Sequence, residues 1–206
     1  MSVTVSLREI GPYKWIRTKV HDHLIRPFME THDPLPEVAR GAAIGIFLGL
    51  TPLVGVQMYM TGITWLICRY VFRFHFNATI AVAMVWITNP ITTPPIYYLY
   101  LITGQLVQSL LGHEVIPITY AAFQYQLNLL THGANLGFFE YIFYATWVLM
   151  ENYGWPLVMG SMIYAIPFSL LTHPATIKFL GKYRRFLAES EGVGYEKWRK
   201  KYELRR

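Results

Sequence analysis

Charge is what the middle of this chain lacks. Between Gly41 and Ile177 the only charged residues are Arg69, Arg73, Glu114, Glu140 and Glu151. Soluble domains rarely sustain such scarcity, so a lipid bilayer is the natural solvent for this stretch. Cysteine is nearly absent as well. Cys68 stands alone, which excludes an intrachain disulfide and any cysteine-rich metal site. The seven histidines, His21, His23, His32, His75, His113, His132 and His173, show no metal-binding spacing beyond the weak pair His21-x-His23. No glycine-rich phosphate loop, nucleophile elbow or zinc signature is present, so no enzyme, cofactor or metal is expected. The first 40 residues hold no apolar run of signal-peptide type, and insertion is expected through internal segments.

What charge there is lies at the ends. Residues 1–40 carry six basic and five acidic side chains, and residues 178–206 carry ten and four. A basic tail beside an apolar domain marks the cytoplasmic side and attracts anionic lipid heads, a better fit than nucleic acid. Lys182, Arg184, Arg185, Lys197, Arg199, Lys200 and Lys201 alternate with Tyr183, Phe186, Trp198 and Tyr202, as in a helix at a membrane surface. Tyr13, Ile16, Val20, Leu24 and Phe28 recur at helical spacing and predict a second amphipathic helix near the N-terminus. Three segments follow: a cytoplasmic arm (1–35), a membrane domain (36–180) and a basic cytoplasmic tail (181–206).

Two breaks divide the apolar domain. Gly41–Leu50 is too short to cross a bilayer, and it is followed by Pro52 and Gly55 before an apolar restart from Val56 to Ile67. Asn77 is a plausible N-cap for a helix over 78–88. Asn89, Pro90, Thr92, Thr93, Pro94 and Pro95 then interrupt it before a restart over 96–111. Paired interrupted segments point to a midplane binding site. Further helices are expected over Asn135–Met150 and, kinked at Pro167 and Pro174, over Trp155–Ile177. The expectation is an all-α polytopic membrane protein: two interrupted helical hairpins, re-entrant or kinked, two further membrane helices, and amphipathic terminal helices. If the first block re-enters, Arg69 and Arg73 return to the cytoplasm, as the charge rule favours.

Pro36-x-x-Ala39-Arg40-Gly41-x-Ala43-x-Gly45-x-Phe47-x-Gly49-x-x-Pro52-x-x-Gly55-x-Gln57 resembles the opening signature of a bacterial domain-of-unknown-function family, number 2062. Asn77, followed by Asn89-Pro90-x-Thr92-x-Pro94-Pro95-x-Tyr97-Tyr98-x-Tyr100-x-x-x-Gly104, is similar to its second. Pro156-x-x-x-Gly160-Ser161 resembles its closing segment. The resemblance implies a small integral protein of the bacterial inner membrane. It gives a contextual hint toward envelope lipid chemistry and carries over no catalytic residue.

Gly41, Gly45 and Gly49 make one smooth helix face suited to close helix contact. Thr51, Gln57, Asn89, Thr92 and Thr93 lie in or beside the breaks. There, amides of restarting helices are expected to form a midplane site that binds or translocates an anionic, phosphate-bearing lipid or isoprenoid, with Arg40 at the mouth. Alternatively, those polar groups satisfy one another and only stabilise the breaks, in a structural or accessory subunit that docks a membrane-protein partner or a second copy.

Overall fold

A computed structural model describes residues 31–53, 55–89, 92–115, 117–125 and 138–203. Over 138–150 it describes the backbone and the side chains of 144, 147, 148 and 150. The amphipathic pattern of residues 13–28, His21, His23, His132, Pro90 and the Glu140 side chain lie outside the described residues.

Six helices carry the fold: α1 (Leu35–Gly49), α2 (Gln57–Tyr70), α3 (Ala78–Val85), α4 (Thr93–Leu110), α5 (Phe138–Ser190) and α6 (Tyr195–Tyr202). No strand occurs among the described residues, so the all-helical expectation holds. Proline sits in the first turn of α1 and of α4, where its missing N–H costs nothing. Asn77 caps α3, its Oδ1 accepting from the Ile80 amide at 2.7 Å.

α1 and α3 lie parallel and touching. Gly41 rests on the Asn77 backbone, Gly45 on Ala81 and Gly49 on Val85, in constant register. α5 runs antiparallel to both of its partners. Gly181 lies beside Leu35, and Ser169 Oγ donates to the Ala43 carbonyl at 2.9 Å. Further back along α5, Gly160 rests on the Tyr100 backbone, and Gly104 of α4 rests on Pro156. Reading α5 from its C-terminal end, the chain therefore passes α1 first and α4 afterwards.

That order separates the two interrupted units. The first doubles back: α2 begins against Gly49 through Gln57. The chain then returns to the start of α1, where Arg40 Nη1 donates to the His75 carbonyl at 2.8 Å and Asn77 N to the Glu37 carbonyl at 3.0 Å. The second goes on, with α4 continuing in the direction of α3. Two hairpins of one plan were expected, and the described backbone differs between the two breaks. Gly55 adopts φ 71°, a left-handed conformation that glycine takes without strain and that reverses the chain. Trp86 and Thr92, flanking the second break, both stay in the right-handed helical region.

The two separate C-terminal helices expected over 135–150 and 155–177 are one. α5 spans 53 residues, ~80 Å at 1.5 Å per residue, and passes through Pro156, Pro167 and Pro174. Each proline removes one backbone bond, and α5 packs on α4 around Pro156 and on α1 further along, which holds the helix through them.

The core joins Ile46 and Leu50 of α1 to Tyr97, Tyr100 and Leu101 of α4 and to Tyr153 and Leu157 of α5. Phe123 folds in from a helical turn at 120–125 and meets Tyr153 edge-on, ring centres 5.9 Å apart. The outside is apolar too. Tyr70, Leu110, Trp155 and Leu170 are each at least 69% exposed. Within α5, Met150–Ser190 is the one described helix long and apolar enough to cross a membrane. Its most apolar window is only 22% buried, the reverse of a soluble core helix, and points to membrane association.

Candidate functional site: the joint between the helix breaks

The C-terminal ends of α1 and α3 lie side by side because their glycine-on-backbone contact keeps them in register. α2 and α4 start from the same place. Four helix ends therefore meet at one joint.

Gln57 is its centre. The amide Nε2 donates to the Gly49 carbonyl at 3.1 Å and to the Thr51 carbonyl at 2.9 Å, capping the end of α1. With both hydrogens committed, Oε1 is left as an acceptor and faces Thr88 Oγ1 at 3.1 Å. The single Thr88 proton is shared between that oxygen and the Gly49 carbonyl, 2.8 Å away. Thr51 Oγ1 turns back to the Leu48 carbonyl at 2.6 Å. Gln57 and Thr51 are buried, and Thr88 is half-buried.

The second break closes on itself. Thr92 N donates to Asn89 Oδ1 at 3.1 Å, and Asn89 N donates to Thr92 Oγ1 at 2.9 Å. Thr92 Oγ1 donates to the Ile87 carbonyl and Thr93 Oγ1 to the Asn89 carbonyl, both at 2.8 Å. The first turn of α4 has no spare amide. Thr93 N bonds to the Asn89 carbonyl, Pro94 and Pro95 carry no N–H, and Ile96 N bonds to the Thr92 carbonyl. Thr51, Gln57, Asn89, Thr92 and Thr93 are thus brought together, with Thr88 as the link.

The family model for an "uncharacterized protein conserved in bacteria (DUF2062)" matches residues 18–188, which include both breaks and nearly all of α5. The chain belongs to the DUF2062 family. No curated protein and no solved structure matches it.

Arg40 of this DUF2062 protein is not part of the joint. It lies near the opposite end of α1, with its guanidinium 4.8 Å over the Phe74 ring and bonded to His75. Nor does the joint have metal-binding character: among the described residues no group of three His, Cys, Asp or Glu could hold an ion.

A second polar centre lies at the Arg40 end, and sequence reasoning missed it. Arg184, expected on the surface among the tail's cations, is 1% exposed. Its Nη1 meets Glu203 Oε1 at 2.6 Å, and its Nη2 donates to the carbonyls of Thr31 (2.9 Å) and Asp33 (2.8 Å). Asp33 Oδ2 in turn accepts from Asn77 Nδ2 at 2.5 Å. Trp198, also expected at the lipid surface, is buried against Tyr195 and Tyr202. α6 therefore turns its large aromatic inward and leaves charge outside. The signal available in the sequence was the i, i+4 spacing of Leu180, Arg184 and Ala188, which puts Arg184 on the buried stripe of α5.

Proposed function

We propose that this protein is an integral component of the bacterial inner membrane, with both termini cytoplasmic, and that it serves as a structural or accessory subunit of an envelope membrane complex. In this reading α1 and α2 dip into the bilayer and return, while α3–α4 and α5 each cross it. The charge pattern supports that topology. The doubling-back of α2 carries Arg69 and Arg73 to the Arg40 end of α1, and the antiparallel register of α5 puts Lys178 and Lys182 there as well. A membrane protein keeps such a basic end in the cytoplasm.

The observation that carries the structural role is the closure of the joint. Every polar side chain at the two breaks among the described residues bonds to a neighbour at the breaks, and the first turn of α4 offers no amide to an anion. Free backbone groups in lipid cost several kcal/mol each, so breaks whose side chains, and whose α4 amides, are satisfied locally are what an interrupted helix requires; the first turn of α2 carries no side-chain cap. Arg40, far from the joint, supplies no charge there.

The second reading is a site that binds or translocates the head of a phosphate-bearing lipid or isoprenoid at the joint. One observation favours it. Thr88, Asn89, Thr92 and Thr93 are only half-buried, so the second break is partly open to its surroundings. Purification in mild detergent separates the readings. A stoichiometric membrane-protein partner supports the accessory role. Co-purified phospholipid or isoprenoid phosphate that is lost in Gln57→Ala and Asn89→Ala supports the lipid site and contradicts the accessory one.

A further inference from the structure

We propose that α6 is a releasable strap, tied by Glu203 to the buried Arg184, and that this tie governs the N-terminal end of α3. The connection is continuous. Glu203 holds one guanidinium nitrogen of Arg184, whose other terminal nitrogen holds the backbone of Thr31 and Asp33. The Asp33 carboxylate then takes the side-chain NH2 of Asn77, whose one side-chain oxygen caps α3 by accepting from the Ile80 amide. One line of bonds therefore runs from Glu203, at the end of α6, to α3, one of the four helices whose ends meet at the joint.

Two features make the strap two-state. α6 is eight residues long, well short of the roughly 12–15 at which an isolated helix becomes even marginal in water, so it keeps its form only while docked. Besides the Glu203 tie, its docking rests on the buried aromatic Trp198, on ties to Glu191 from Trp198, Tyr202 and Lys201, and on the Arg185 guanidinium 5.7 Å from the Tyr195 ring. The Arg184 side chain is only 2% exposed, and Glu203 is its one carboxylate among the described residues. When Glu203 departs, an unpaired cation is left in a dry site, and Arg184 must move toward water. In moving it gives up the Thr31 and Asp33 carbonyls. The outward face of α6, with Lys197, Lys200 and Lys201 exposed, is where a negatively charged surface would pull on the strap.

Hydrogen exchange of the full-length protein in lipid nanodiscs tests this. Glu203→Gln keeps the shape of the side chain and removes its charge. Exchange in peptides covering 31–38 and 77–83 should rise about tenfold or more, with the Ile80 amide among the affected sites, while 97–104 and 153–165 stay unchanged. Trp198→Ala undocks α6 without altering either member of the ion pair and should give the same pattern. Faster exchange confined to α6 and the last turns of α5 in both variants would overturn the strap. So would uniform acceleration of the whole chain in both.

Discussion

Gly45 of α1 lies directly on the backbone of Ala81 in α3. A Cβ at Gly45 would meet the Ala81 Cα and the Met84 Cβ, each at 2.8 Å, so even alanine must push the helices apart. Gly45→Ala should destabilise by about 1–3 kcal/mol, the usual cost of overpacking. Gly62 of α2 has nothing within 4 Å, and there alanine should gain up to about 1 kcal/mol from helix propensity alone. Thermal unfolding of the two variants in detergent reads both signs, and equal effects would mean that α1 and α3 are not in contact.

The joint makes a different demand. Gln57→Leu leaves the Thr51 carbonyl without its side-chain donor and the Gly49 carbonyl with Thr88 alone, and should cost about 1–3 kcal/mol. Thr88→Val removes the link between the breaks, at a similar or smaller cost. Because the two side chains touch, the double variant should be less destabilised than the sum, with a coupling of about 0.5–2 kcal/mol. Strict additivity in a double-mutant cycle would show that the breaks are independent turns.

Asn77 has two duties that pull apart under substitution. Asn77→Ala loses the cap of α3 and should cost about 1–2 kcal/mol. Aspartate is an equally good cap by general preference, yet here it would set a second carboxylate against Asp33 in place of the amide donor. Asn77→Asp should therefore be at least as destabilising as Asn77→Ala in the same unfolding assay. A neutral Asn77→Asp would separate Asp33 from Asn77.

Much of this was legible in the chain, for identifiable reasons. Helical character and both interruptions follow from local chemistry, since proline and glycine act on their own turn of backbone. The opening and second signatures pointed to the family that the match over 18–188 shows. What the sequence concealed depends on distant partners. Arg184 and Asp33 are 151 positions apart, and neither looks unlike an ordinary surface charge until α5 brings them together. Pro156 and Gly154 resemble a helix end, but α4 covers that stretch through Gly104, and α5 runs on. Where the first unit doubles back, Gly55 adopts a left-handed φ, a conformation that proline content alone does not reveal.

The proposed topology has the first interrupted unit turn back within the bilayer while the second passes through. Single cysteines at Tyr70 and His113, both exposed, in a Cys68→Ser background place the two ends in intact cells. Membrane-impermeant maleimide should label Tyr70→Cys only from the cytoplasmic side and His113→Cys only from the periplasmic side. Labelling of both positions from the same side, or of Tyr70→Cys from the periplasm, would contradict the account.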